Sequence, residues 1–159
     1  MIIPLKLSGD AMLQSRIIPA GERIVEPMIG LARCSRQQRI IVAGAKSAEL
    51  MFELHRRGYP RVSTTANCGL PLGQYDVALI DWRQRSIKAL ETTLYWLVDF
   101  LGDTAVLVVW TDPQEPAGNQ TLLSVLERVG LVVEAGSIHK HGCAVSARRA
   151  EITPNRKVA

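Results

Sequence analysis

Short apolar runs alternate with helical periodicity along most of the chain. Apolar residues are uninterrupted at 40–43, 77–80 and 105–110, which is typical of strands buried on both faces of a parallel sheet. Apolar positions recur every three or four residues over 47–57, 86–101 and 119–129, which predicts helices packed on that sheet. Residues 61–65 are rich in β-branched side chains and predict one further strand.

The end of the chain breaks this alternation. Residues 131–135 and 142–147 predict two strands joined by a short polar connection, so this pair should be antiparallel. The pattern therefore predicts an α/β fold, a three-layer, doubly wound, mostly parallel sheet closed by a C-terminal antiparallel hairpin.

The first 38 residues precede this regular pattern. Residues 1–20 are broken by Pro4, Gly9 and Pro19 and predict an irregular arm, whereas residues 22–34 have helical spacing. Pro27 lies inside that segment, so the helix either begins near it or kinks there. We divide the chain into an arm and helix at 1–38, a domain at 39–150 and a basic tail at 151–159.

Composition narrows the class of protein. The chain has 159 residues, 47% of them hydrophobic, and no apolar run of the roughly 20 residues that span a bilayer. The first residues lack a charged leader with an apolar core, so a secretory signal is not expected. Cys34, Cys68 and Cys143 form neither a disulfide framework nor a metal motif, which favours reduced thiols in a cytoplasmic protein. Because no apolar run is long enough to span a bilayer, a membrane is not an expected partner.

The net charge of +4 is not spread over the fold. Residues 1–39 carry six basic and three acidic side chains and residues 148–159 carry four and one, whereas residues 40–147 carry nine and eleven. A nucleic-acid-binding domain should present a basic face on the fold itself. Nucleic acid is therefore not an expected partner.

The turn after the first strand is the first candidate binding site. Gly44 tolerates a sharp turn and a close ligand, and Ala45, Lys46 and Ser47 lead into the next helix. Ser47 is the predicted helix cap. Lys46 beside helix N–H groups is suited to an anion, although a solvated lysine in a loop is the simpler interpretation.

Asp81 and Trp82 form the second candidate, at the carboxyl end of a central strand, where open α/β sheets place ligands. Asp81 is the candidate catalytic residue, as a proton acceptor or a partner for an ammonium group, and the Trp82 indole is suited to stacking. The structural alternative is that Asp81 caps the next helix and Trp82 packs under a loop. Trp110, Thr111 and Asp112, at the end of the neighbouring strand, are candidates for the opposite wall.

Three residues near the end alternate in the manner of metal ligands. His139, His141 and Cys143 would share one face if they lay in one strand. A fourth ligand is not evident, and a hairpin is predicted here, so no metal site is expected.

The order of elements resembles the class I S-adenosylmethionine-dependent methyltransferases. The stretch YDVALID at 75–81 is similar to that family's fourth strand, and GLVVEA at 130–135 with ARR at 147–149 is similar to its closing unit. The first loop departs from the family pattern, with Val42, Gly44, Lys46 and Ala48 where an acid and three glycines are usual. Ten residues, 66–75, separate two strands where a further helix–strand unit is usual, so one unit is absent.

The resemblance implies S-adenosylmethionine as cofactor, a small-molecule ligand in the crevice and a reduced cofactor site. Thr65 lies where the family has an acid for the ribose hydroxyls. The predicted function is a minimal methyltransferase-like domain. The alternative is a non-catalytic interaction or assembly module that retains the fold. The missing unit would leave the second strand at an edge, which the helix of residues 22–34 could cover within the chain or across a homodimer.

Overall fold

The structure, a computed structural model, describes residues 20–66 and 73–150, with side chains from residue 24 onward. Within these ranges four helices and six strands alternate for most of the chain. The helices are α1 Ala20–Ala32, α2 Ser47–Arg56, α3 Ile87–Val98 and α4 Pro116–Arg128. The strands are β1 Ile40–Gly44, β2 Val62–Thr64, β3 Tyr75–Asp81, β4 Leu101–Thr111, β5 Leu131–His139 and β6 Gly142–Arg149.

The six strands form one sheet in the order β2-β1-β3-β4-β6-β5. Neighbours among β2, β1, β3 and β4 are parallel, and β6 is antiparallel to both β4 and β5. The predicted doubly wound sheet and its antiparallel closing hairpin are confirmed. In this order β2 lies at one edge of the sheet, and β1 lies between β2 and β3. This arrangement is expected where a helix–strand unit after β2 is absent.

Helices cover both faces of the sheet, which confirms the three layers. α1 and α2 pack on one face with Ile40 and Val42, while α3 and α4 pack on the other with Ile41 and Ala43. These four consecutive residues of β1 are all buried. Both faces are covered, so an apolar side chain is favourable at every position of the strand.

Several predicted bounds are corrected. The helix expected from residue 86 to Gly102 ends at Val98, and Gly102 lies in β4, because Leu101 already pairs with Tyr75. β2 lacks the outer residues predicted for it. α4 begins at Pro116 rather than at residue 119 or 120, since proline has no N–H to lose in the first helical turn.

α1 also differs from its prediction. It begins at Ala20 and contains Pro27, so the alternative that the helix begins near the proline is wrong. α1 packs on the sheet face against β4 and β6 and contacts α2, not the edge of β2. That edge strand is short, with Pro60 and Arg61 just before it, and these features themselves discourage pairing with another strand.

The predicted arm of residues 1–19 and the basic tail of residues 151–159 lie outside the described residues, so the proposed domain bounds stay predictions. Cys68 also lies outside them. No helix in the described ranges is both long enough and apolar enough to cross a membrane.

Candidate functional site

The carboxyl ends of the parallel strands bring the predicted site residues to one edge of the sheet. Gly44 is in register with Asp81, and Asp81 is in register with Trp110. The two main candidate stretches therefore lie at the same ends of neighbouring strands, at the edge where ligands bind in open α/β sheets.

Backbone packing explains why residue 44 is a glycine. Its φ is +107°, and the next residue, Ala45, donates its N–H to the carbonyl oxygen of Asp81 at 2.9 Å. A Cβ at position 44 would lie 1.9 Å from that same oxygen. The turn thus requires glycine whether or not a ligand binds there.

The prediction that Ser47 caps α2 is wrong. Lys46 is the N-cap residue, and its side chain makes no capping hydrogen bond. Ser47 is the first residue of the helix, so its hydroxyl does not occupy the cap position. The Lys46 side chain is exposed at the start of α2.

Asp81 is buried and forms an ion pair with Arg83. Arg83 donates from Nε to Asp81 Oδ1 at 2.7 Å and from Nη2 to Oδ2, and its backbone N–H lies 3.3 Å from Oδ1. Hydrogen bonding to Asp81 raises the pKa of the Arg83 guanidinium above its ordinary value. Both carboxylate oxygens therefore accept hydrogen bonds from Arg83. The role as a proton acceptor stays a prediction.

Trp82 is packed in place rather than open to stacking. Its side chain is buried, and its indole N–H donates to the carbonyl of Ser86 at 2.8 Å. The guanidinium of Arg85 lies 5.1 Å from the ring centroid, a cation–π distance. Ser86, not Asp81, caps the following helix, because Ser86 Oγ accepts from the N–H of Lys88 at 3.2 Å.

A cleft of about 550 Å³ lies between the end of β1, the residues after β2 and α3, and we call it the Trp96 cleft. Its walls combine aromatic rings with threonine hydroxyls. Trp96 is 44% exposed, and its ring lies 4.7 Å from that of Phe100. The cleft is lined by Ala43, Gly44, Thr65, Ala66, Trp82, Arg85, Thr92, Thr93 and Trp96.

A second, smaller hollow of about 150 Å³ contains the charged groups. It is lined by Ala45, Lys46, Asp81, Arg83 and Gln84. Of the seven predicted binding residues, the structure therefore places three in the Trp96 cleft and three in this hollow. Ser47 lines neither of the two.

Sequence reasoning missed the wall supplied by α3. Thr92, Thr93 and Trp96 lie off the buried stripe of Leu90, Leu94 and Leu97. A tryptophan outside the apolar stripe of an amphipathic helix was the available signal.

The predicted opposite wall is only partly present. Trp110 is buried in the core between the sheet and α1, so its ring lines neither hollow. Thr111 is buried as well. Asp112 does lie at this edge, where it accepts the backbone N–H of Gln84 at 2.7 Å.

The histidines and cysteine at the hairpin do not share one strand. His139 ends β5, His141 is in the turn and Cys143 is in β6. His139 lies 5.3 Å from the Trp110 ring and hydrogen-bonds Ser137 at 2.7 Å. Over the described ranges no three potential metal-ligating side chains cluster.

Comparison with known proteins gives similarity in structure alone. No protein-family model matches the chain, and no curated protein matches it in sequence. The 1,6-didemethyltoxoflavin-N1-methyltransferase of Burkholderia thailandensis, solved with bound 1,6-didemethyltoxoflavin and S-adenosylhomocysteine, is 13% identical with a TM-score of 0.57, over 93% of this chain and 86% of that one.

Two further solved structures show the same architecture. A methyltransferase dependent on S-adenosylmethionine from Aquifex aeolicus is 13% identical with a TM-score of 0.55, over 86% of this chain and 96% of that one. The cyclase SpnF is 12% identical with a TM-score of 0.56, over 81% of each chain. Its reaction is a cyclisation, so the shared fold does not fix the chemistry. The chain described here has the fold of the class I S-adenosylmethionine-dependent methyltransferases.

Proposed function

We propose that this chain is a minimal S-adenosylmethionine-dependent methyltransferase-like domain with a reduced cofactor site, in which the Trp96 cleft takes the nucleoside. The observation that carries the proposal is the position of the cleft. It opens at the carboxyl edge of the parallel sheet, beside Gly44, and has about 550 Å³ of space. Open α/β sheets bind nucleotide-like ligands at this edge.

The residues of the cleft fit a nucleoside. The partly exposed Trp96 ring offers an apolar surface for a base, and base–aromatic stacking is favourable for any base. Thr65 lies at the edge of the cleft where a hydroxyl can bond a ribose. A hydroxyl bonds a ribose less strongly than a carboxylate does, which is the sense in which the site is reduced.

The amino-acid part of the cofactor would meet the smaller hollow. Lys46 and the first N–H groups of α2 suit its carboxylate. Its ammonium group has no free carboxylate among the residues lining that hollow, because Asp81 is held by Arg83.

The bound cofactor would supply the methyl group. The role of this chain is then to position the ligand and to exclude water, and positioning alone contributes a large part of such a rate enhancement. Trp96 and Thr65 would orient the nucleoside, and the Gly44 turn would let the backbone approach it.

Calorimetric titration with S-adenosylmethionine, S-adenosylhomocysteine and adenosine tests this proposal. Replacing Trp96 by Ala should weaken binding of all three by roughly tenfold or more, the usual value of one stacked base. Tyr95→Ala is the matched control, since its side chain is the next one on the same helix, is 58% exposed and does not line the cleft. Absence of binding at millimolar ligand, or equal losses in the two variants, would contradict the proposal.

A non-catalytic assembly module is the second candidate. The ion pair with Arg83 favours it, because this pair gives the candidate catalytic carboxylate of Asp81 a structural role. We propose that in this case the chain acts in the cytoplasm as a homodimer. Sedimentation equilibrium tests the assembly directly, and a monomer at all concentrations together with nucleoside binding would exclude this candidate.

A further inference from the structure

Three strands begin side by side at the amino edge of the sheet, opposite the Trp96 cleft. Ile40 is in register with both Val62 and Val77. The residues just before these strands are therefore neighbours. The N–H of Ile40 donates to the carbonyl of Arg61 at 2.8 Å, and the N–H of Asp76 donates to that of Arg39 at 2.8 Å.

Strand alternation places several polar side chains of this edge on one face. Ile40 and Val62 are buried on the face covered by α1 and α2. Side chains alternate along a strand, so Arg39, Arg61 and Ser63 belong to the other face. Tyr75 packs on that face too. This is the part of the sheet that a further helix–strand unit after β2 would otherwise border.

A cavity of about 220 Å³ lies among these side chains. It is lined by Arg39, Pro60, Arg61, Val62, Ser63 and Tyr75. The two side chains with a formal charge are both arginines, and no acid lines the cavity. The cavity is thus positively charged, and Ser63 adds a hydroxyl to its lining.

The polar groups of the cavity are incompletely used inside the protein. Over residues 20–66 and 73–150, no carboxylate forms an ion pair with Arg39 or Arg61. Arg39 Nη1 has a hydrogen bond of 3.3 Å to Gln74 Oε1, and the nearby carboxylate of Asp76 accepts the backbone N–H of Arg39.

We propose that this cavity binds a phosphoryl group, as free phosphate or as the phosphate of a small monoester. Two guanidinium groups match the oxygens of a tetrahedral anion, and arginine is the residue best suited to such contacts. The hydroxyl of Ser63, which also lines the cavity, donates to a remaining oxygen. The cavity lies at the opposite edge from the Trp96 cleft, so this site does not rest on the proposed function.

The test is a ¹⁵N-resolved NMR titration of the full chain with inorganic phosphate, glycerol phosphate and acetate, each against sodium chloride at equal ionic strength. Saturable shifts at the amides of Ile41 and Ser63 are expected for both phosphates. Tighter binding of glycerol phosphate would identify a monoester as the ligand, and tighter binding of phosphate would identify the free anion. Acetate binding as tight as phosphate would overturn the phosphoryl assignment.

Three variants separate this site from general charge attraction. Arg39→Gln and Arg61→Gln should each weaken phosphate binding roughly tenfold or more, as expected for a charge-assisted bond. Lys140→Gln, which removes one positive charge in the hairpin turn between β5 and β6, should bind as the unsubstituted protein does. Equal affinity in all three variants would overturn the proposal.

Ser63→Ala supplies a test that does not depend on charge. It removes only a partly buried hydroxyl of the cavity wall, so the fold should be unaffected, while phosphate binding should weaken about threefold. Unchanged affinity in Ser63→Ala and both arginine variants, or no saturable shift in the unsubstituted protein, would show that no phosphoryl site exists there.

Discussion

At the scale of single residues, Gly44 has two separate reasons to be glycine, and only one of them concerns a ligand. The structural reason is a positive φ together with the close carbonyl oxygen of Asp81. Replacing Gly44 therefore damages the fold before it reports on binding. Trp96 is the better probe of the cleft, because its ring is partly exposed and its loss leaves the turn intact.

Gly44→Ala is expected to reduce the free energy of unfolding by about 2 to 4 kcal/mol, from backbone strain and overpacking. Gly130→Ala is the matched control. Gly130 also has a positive φ, +86°, but a Cβ there would meet nothing within 4 Å, so it should cost only about 1 kcal/mol. Urea denaturation measures both, and equal losses would contradict the close contact at Gly44.

Cys34 is expected to resist alkylation. Burial raises the pKa of its thiol from 9.0 to about 12, so the reactive thiolate is about one part in ten thousand at pH 8. Mass spectrometry after iodoacetamide treatment should find Cys34 unmodified in the native protein and modified in denaturant. Fast modification under native conditions would show that the thiol is accessible.

The same shift has a consequence for stability. The folded state favours the protonated thiol, so its contribution is complete below pH 9.0 and is lost as the pH rises from there toward about 12.

At the scale of elements, the local sequence pattern did not determine the residue at which α2 begins. The short polar side chains of Asn, Asp, Ser and Thr cap a helix from the N-cap position, and here Lys46 occupies it while Ser47 is one residue further on. The hydrogen bond from the Ala45 N–H to the Asp81 carbonyl joins the residue before the N-cap of α2 to the end of β3. A contact between distant segments thus fixes where the helix begins.

Lys46→Ser should raise the free energy of unfolding by about 1 kcal/mol, since it supplies the missing cap. Ser47→Ala should change it by less than about 0.5 kcal/mol, because alanine is favourable inside a helix. Thermal denaturation of the two variants measures this. A loss of about 1 kcal/mol in Ser47→Ala would restore Ser47 as the cap.

At the scale of the whole molecule, α1 belongs to the core of the sheet. Ile24, Val25 and Met28 are almost fully buried and pack with residues of β1, β3 and β4. The amphipathic spacing of this segment predicted a buried stripe. It did not identify the surface that the stripe covers, because a stripe of this kind fits a sheet face, an edge or a partner equally well.

Met28→Ala is expected to destabilise the protein by about 2 to 5 kcal/mol, the cost of a cavity in a packed core. Phe52→Ala removes a larger side chain that is 68% exposed on α2 and should cost far less. Guanidinium denaturation compares them. Similar small losses in the two variants would contradict the packing of α1 on the sheet.

The candidate site was predictable only in part. Gly44 and Asp81 could be placed together because the ends of parallel strands meet at one edge. The positions of Arg83 and Trp96 could not be predicted. The ion pair of Arg83 and the place of Trp96 in the cleft both depend on how α3 follows β3. The grouping of Arg39, Arg61 and Tyr75 likewise depends on strand register.

The amino-acid sequence by itself determined the class of fold, the parallel sheet and the antiparallel closing pair. These features follow from burial. A strand that is covered on both faces must be apolar at every position, whereas a helix that packs with one face needs apolar residues only along one stripe. The tertiary structure alone decided the strand order, the face that α1 covers, the ion pair between Asp81 and Arg83, and the three separate cavities. Each of these depends on contacts between residues far apart in the chain, and no local pattern of apolar and polar positions records which distant residues meet.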